Sequence, residues 1–242
     1  MAEHVIKDTK ILIGGFDYSP GLNQVGLTLK KAPKPDPAFG DGAQSIALGL
    51  QTFELIYSGY LDMNANNQDE EQTNWGEVDT VLTICPENVD VEAIAYCTKK
   101  AASETSWDGT IGDKAAFSGA AFSSGQGVVR GLVLASGEKT TTVNGAAVEA
   151  GAVGATQYLY GVLHITGVSG TDNPTATVKI QSAPASNFAS PTDRIEFTAS
   201  TEVEAQWATP VAGEITDTFW RAVVTISGTN PSLTVYCVMA IQ

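Results

Sequence analysis

Ser169-Gly170-Thr171-Asp172-Asn173-Pro174-Thr175-Ala176-Thr177-Val178 and Ser227-Gly228-Thr229-Asn230-Pro231-Ser232-Leu233-Thr234-Val235 are one pattern written twice. The second copy lacks one residue in the turn. Each copy follows an apolar run, residues 158–165 or 219–226, and each is followed by alternating residues. Ala176, Val178 and Ile180 fall on one side, with Thr177, Lys179 and Gln181 opposite. Leu233, Val235, Cys237, Met239 and Ile241 fall on one side, with Thr234, Tyr236, Val238 and Ala240 opposite. A period of two means strands, because successive side chains leave opposite faces of a sheet. Gly tolerates positive φ and Pro fixes its own, so Gly and Asn-Pro supply turns. The expectation is the same β-hairpin made twice, the two stacked as a β-sandwich over residues 158–242.

Working back along the chain, short strand patterns recur at 10–16, 25–29, 46–63, 91–98, 114–123, 128–134 and 140–143. One helix is expected over about 74–85. Asn74 is the cap, Glu77 completes a capping-box spacing, and Val78, Val81, Leu82 and Cys85 form an i, i+3, i+4, i+7 stripe that Pro86 ends. Residues 30–42, KKAPKPDPAFGDG, carry Pro33, Pro35 and Pro37 at alternate positions. Such a segment lacks ladder donors and reads as an extended, exposed arm or loop. Asp69-Glu70-Glu71 sits in an acidic, polar loop. Residues 145–157 are Gly/Ala-rich and read as a linker. The division is therefore residues 1–144, a β-sandwich or barrel with one packed helix, then the linker, then the C-terminal all-β sandwich.

The 242 residues, 43% hydrophobic and 17% charged, suit packed cores rather than a disordered chain. No apolar run is long enough to span a bilayer, and Met1-Ala2-Glu3-His4-Val5 does not read as a signal peptide. The expectation is a product made and used without secretion through a membrane. A net charge of −14 argues against binding nucleic-acid phosphates, which needs clustered Lys and Arg. Cys85, Cys97 and Cys237 are odd in number and widely spaced, which reads as buried reduced thiols rather than a zinc or redox site.

No chemistry-bearing constellation emerges. Of the two histidines, His4 lies near the start, and His164 inside strand 158–165 reads as structural. Walker, H-E-x-x-H, dinucleotide and nucleophile-elbow patterns are missing. Asp172 and Asn173 read as turn residues before calcium ligands, and Glu202/Glu204 as a solvated edge before a glycosidase pair. Trp107, Trp207 and Trp220 with Tyr158, Tyr160 and Tyr236 read first as core and second as a sugar-stacking surface. The expectations are no enzyme, no cofactor and no metal.

The opening Glu3-His4-Val5-Ile6-Lys7-Asp8-Thr9-Lys10-Ile11-Leu12-Ile13-Gly14-Gly15-Phe16-Asp17-Tyr18-Ser19 resembles the start of tail tube (major tail) proteins of long-tailed bacteriophages. Phe39-Gly40-Asp41-Gly42, Asn187-Phe188-Ala189-Ser190-Pro191, Ala205-Gln206-Trp207-Ala208 and Thr216-Asp217-Thr218-Phe219-Trp220-Arg221 fit the same family. The resemblance implies a structural virion protein that self-assembles into stacked hexameric rings, the tube through which DNA is ejected without specific binding. It implies assembly in the host cytoplasm, a place in the virion tail, and contacts with tape-measure and tail terminator or tip proteins. The long early loop of that family corresponds to residues 30–42, with Lys30, Lys31, Pro33, Lys34, Pro35, Pro37 and Phe39 as an inter-subunit arm. Asp69, Glu70 and Glu71 are its candidate acidic partner, and the C-terminal sandwich would decorate the tube exterior. Rival readings are another virion β-protein, for head decoration or tail tip, and a carbohydrate-binding adhesive module.

Overall fold

The structure, a computed structural model, describes residues 8–35, 46–61 and 78–242. Its strands in order are β1 (Lys10–Ile13), β2 (Phe16–Asp17), β3 (Leu22–Pro35), β4 (Ile46–Tyr60), β5 (Thr80–Cys85), β6 (Ile94–Asp108), β7 (Ala116–Ser123) and β8 (Val129–Ala135). There follow β9 (Glu138–Lys139), β10 (Val143–Asn144), β11 (Val148–Glu149), β12 (Tyr158–Ala183), β13 (Thr192–Glu196), β14 (Glu204–Trp207), β15 (Val211–Ala212) and β16 (Phe219–Ile241). A single 3-10 turn at Ser19–Gly21 is the only helical element among the described residues.

The two copies of the repeat do not each close a hairpin. They lie opposite one another inside two very long antiparallel strands. The first half of β12 pairs with the second half of β16, from Leu159↔Ile241 to Ser169↔Ser232. The second half of β12 pairs with the first half of β16, from Thr175↔Ser227 to Ala183↔Phe219. Alternation fixes which face a residue takes but not which strand lies beside it, so a local and a distant partner fit the pattern equally. The motif residues instead form irregularities in both strands, with Asp172, Asn173 and Asn230 at positive φ. They interlock there: a Cβ on Gly170 would stand 2.9 Å from the Asn230 carbonyl oxygen, and one on Gly228 would stand 2.9 Å from Pro174 Cα. Only glycine fits positions that combine positive φ with such close backbone.

Beyond the irregularity the two halves of the ribbon face each other. A Cβ on Gly161, in the first half of β12, would stand 3.0 Å from the Ile180 side chain in the second half. Leu159, Leu163, Val178, Ile180, Trp220, Val235 and Met239 fill the space between. The second half of β16 is apolar on both faces. Leu233, Val235 and Cys237 enter this core, while Val238 and Ala240 join Val81, Cys97, Val129 and Val162 in another.

All strands belong to one curled antiparallel sheet, whose main path runs β13-β12-β16-β8-β6-β5-β1-β2. Strand β8 pairs with β6 on one side and β16 on the other. The N-terminal strands wrap a third core that includes Ile11, Tyr18, Phe53, Tyr57, Leu82 and Phe117. Residues 145–157, expected as a linker, are held in place. Val148 pairs with Trp220 and Val153 bridges Ile215, both valines are buried, and Trp220 Nε1 donates to the Gly151 carbonyl at 2.8 Å.

The helix expected at 74–85 is corrected where it is described: residues 80–85 are strand β5. Val81 and Cys85 enter one core while Leu82 and Ile84 enter another. A strand buried on both faces reads as a continuous apolar run, and such a run also satisfies helical spacing. The β-branched residues Thr80, Val81, Thr83 and Ile84 favour the pleated alternative. The cap pair Asn74 and Glu77 lies outside the described residues.

Candidate assembly surface

Residues 30–35, expected as an extended segment unable to join a sheet, are the distal end of β3. They pair with β4 as Lys30↔Thr52, Lys31↔Gln51, Pro33↔Leu48, Lys34↔Ala47 and Pro35↔Ile46. Proline is tolerated because β3 is an edge strand, and among the described residues its other side carries no ladder. β4 pairs with β7 only from Glu54 onward. Beyond Leu29↔Phe53 the two strands pair only with each other among the described residues, a ribbon about 20 Å long at the usual rise per residue, touching the body at its base, where a Cβ on Gly127 would stand 3.1 Å from Gln51 Oε1. An irregularity between Lys31 and Pro33 marks its middle, where a Cβ on Gly49 would stand 3.0 Å from the Ala32 carbonyl oxygen.

Lys30 Nζ bonds the Glu54 carboxylate at 2.8 Å, across the ribbon it belongs to. Lys31 and Lys34 are exposed. Pro37, Phe39 and the proposed acidic partners Asp69, Glu70 and Glu71 lie outside the described residues.

The ribbon is also apolar, which the sequence reading of the arm omitted. Leu29, Leu48 and Leu50 are 45%, 67% and 89% exposed. Leu29 and Leu48 share the side that continues the inner face of the sheet, since Leu29 pairs with the buried Phe53 and Leu48 with Pro33, which alternation along β3 puts on the side of Leu29. The signal was present in Leu48-Gly49-Leu50, facing the Lys/Pro strand. Each exposed leucine forgoes about 1.5–3 kcal/mol available on burial.

His164 is fully buried, with Nδ1 2.7 Å from the Gly14 carbonyl and Nε2 2.8 Å from Thr83 Oγ1. Burial lowers its pKa to about 4, against the raising effect of the Gly14 bond. The three cysteines are buried and free, and burial pushes the Cys85 and Cys97 thiols up to about 12. Asp172 accepts a hydrogen bond from Thr229 Oγ1 at 2.5 Å, tying the two motif copies together. Trp220 and Tyr236 are buried, Trp207 and Tyr160 are half-buried with ring centroids 6.1 Å apart, and Trp107 and Tyr158 are exposed.

No protein-family model matches the chain. No curated protein matches it in sequence. Among solved structures it is similar to a chain of the virion of a native gene transfer agent particle. There the identity is 13% and the TM-score 0.42, over 52% of this chain and 98% of that one. A chain in the tail of an empty gene transfer agent particle, with C6 symmetry, matches at 13% identity and a TM-score of 0.38, over 48% and 91%. The SPP1 Dit protein (gp 19.1), described as a paradigm of hub adsorption apparatus in Gram-positive infecting phages, matches at 9% identity and a TM-score of 0.33. That match spans 96% of this chain and 99% of that one.

Proposed function

We propose that this chain is a structural subunit of a phage tail that assembles with copies of itself into stacked rings, the wall of the tail tube. The observation that carries the reading is the β3–β4 ribbon. A two-stranded hairpin is marginal in water by itself, and this one leaves three leucines in solvent. Such an element is stabilised when another surface covers it. The resemblance of residues 3–19 to tail tube proteins supplies the kind of assembly. The charge of −14 suits a conduit that DNA must traverse without adhering. In this reading the protein has no catalytic role and no cofactor. It is built into the virion tail in the host cytoplasm, its C-terminal part lies on the exterior, and it meets tape-measure and terminator or tip proteins at the ends.

Electron microscopy of the purified chain tests the proposal. Tubes of stacked rings are expected. Single rings that never stack would favour a tail-tip role and overturn the tube. Monomers at all concentrations would overturn self-assembly.

A further inference from the structure

The unpaired side of β3 faces a groove. One cavity of about 370 Å³ lies between β3 and β1, lined by Thr9, Ile11, Ser19, Leu22 and Val25 among others. A second, of about 320 Å³, continues it toward β5 and β6, lined by Val25, Leu27, Leu29, Ile84, Pro86 and Tyr96. Thr9 and Val25 line both, so the two are one trough. The far cavity is mainly apolar, and the near one carries the polar side chains of Thr9, Ser19, Asn23 and Gln24.

An open edge strand beside an apolar trough invites unwanted pairing, and proteins guard such edges with Lys and Pro. β3 is guarded unevenly. Lys30, Lys31, Pro33, Lys34 and Pro35 protect its distal end, whereas Leu22 to Leu29, the part along the trough, contains neither residue type. The guarded part is the projecting ribbon and the unguarded part is the trough.

We propose that the trough is the seat of the ribbon from a second copy of this chain, with Leu48 entering the apolar cavity. The proposal rests on the assembly reading of the ribbon. Charge selects this occupant. Lys31 and Lys34 are exposed on the ribbon of an otherwise acidic chain. One edge of the trough carries the exposed Asp8, next to Thr9, whose Oγ1 donates to the Pro86 carbonyl at 2.9 Å. The ribbon beyond Leu29 and the trough are different surfaces of one chain, so the contact is head-to-tail and propagates into rings or filaments.

Two variants test it. Leu48→Asp with Leu50→Asp spoils the ribbon, and Thr9→Arg obstructs the trough and places a cation where the lysines arrive. Each alone is expected to remain a monomer by analytical ultracentrifugation and to unfold cooperatively, Thr9→Arg at a slightly lower thermal midpoint because it loses the bond to Pro86. An equimolar mixture is expected to form dimers and nothing larger, since only one intact ribbon can meet one intact trough. If Thr9→Arg assembles like the parent while the ribbon variant does not, the seat is wrong and the ribbon's role stands. If both assemble, the ribbon's role itself is wrong. If neither assembles and the mixture gives no dimer, the seat is overturned. A Thr9→Cys, Leu48→Cys chain supplies an independent reading. It is expected to give a reducible multimer ladder under oxidation, and monomers alone would refute the contact.

Discussion

His164 Nε2 stands 2.8 Å from Thr83 Oγ1, a contact between β12 and β5, strands that the sheet path separates by β16, β8 and β6. The sheet therefore curls until its separated members touch. With Nδ1–H donating to the Gly14 carbonyl, Nε2 is the acceptor of the Thr83 hydroxyl proton. The imidazole is a neutral tie across the closing seam.

That tie makes stability depend on pH. The folded pKa of about 4 lies below the ordinary imidazole value of 6.5, so the unfolded chain binds the proton more readily. The contribution of neutral His164 is fully present above about pH 6.5 and is lost as pH falls toward 4. About 2 kcal/mol should disappear between pH 7 and pH 5. Urea unfolding of the parent and of His164→Gln across that interval checks this. The variant should be less stable at pH 7 and show a flatter profile; an equal slope in both would assign the pH dependence to other groups.

Removing the hydroxyl tests this hydrogen bond together with the 3.3 Å contact between Thr83 Oγ1 and Cys97 Sγ. Thr83→Val keeps the shape and leaves Nε2 buried without its donor, which should cost about 1–3 kcal/mol. The combination with His164→Leu should recover part of that loss, because the orphaned acceptor is gone. A double variant showing the full sum of both single losses would contradict this.

The interlocked motif copies predict a contrast between two glycines. Gly213 has φ +112 with open space around its missing Cβ, whereas Gly228 has φ +114 and Pro174 Cα at 2.9 Å. Gly213→Ala bears the backbone cost alone, about 1–2 kcal/mol. Gly228→Ala must also push apart β12 and β16 at their bend, so its melting point should fall clearly further. Equal shifts would mean the bend yields easily.

Which parts of this fold were legible follows from what alternation encodes. Ala176, Val178, Ile180, Leu233, Val235 and Cys237 were readable as one buried face, and they are buried. Their neighbours were not readable, because a period of two specifies a face and leaves the partner strand open. The double burial of Val238 and Ala240 was hidden for the same reason, and so was β5 behind a helical spacing. On the candidate surface, Lys30, Lys31, Lys34 and the prolines stood out by composition. Leu48 and Leu50 looked like any strand residues until the pairing placed them beyond the body.

The joint between the two parts yields another prediction. A chain ending at Asn144 leaves β8 without β16 and strips Val162, Val238 and Ala240 from the core around Val129 and Cys97. The division expected from the sequence, residues 1–144 followed by a linker, would let such a truncation fold by itself. With β8 shared, it should instead be insoluble or lack cooperative unfolding. A soluble fragment with a sharp thermal transition would show that the N-terminal strands close a core of their own.

The ribbon can be removed at the cost of one contact with the body, Gln51 against Gly127, provided that both strands go together. Replacing only residues 30–42 would leave the distal part of β4 unpaired and its leucines still in solvent. Leu29 and Phe53 are directly opposite, and Phe53 is buried in the N-terminal core. Deleting residues 30–52 and joining Leu29 to Phe53 through Asn-Gly closes the hairpin at that pair with a two-residue turn suited to strand twist. The deletion removes Lys30, and with it the Glu54 ion pair, an exposed contact of about 0–1 kcal/mol. The shortened chain should therefore keep the parent's melting point within a few degrees. It should form no rings or tubes at any salt concentration. The parent's assembly should weaken as salt screens Lys31 and Lys34. Polymerisation of the shortened chain at the parent's threshold concentration would show that the ribbon is an ordinary surface feature.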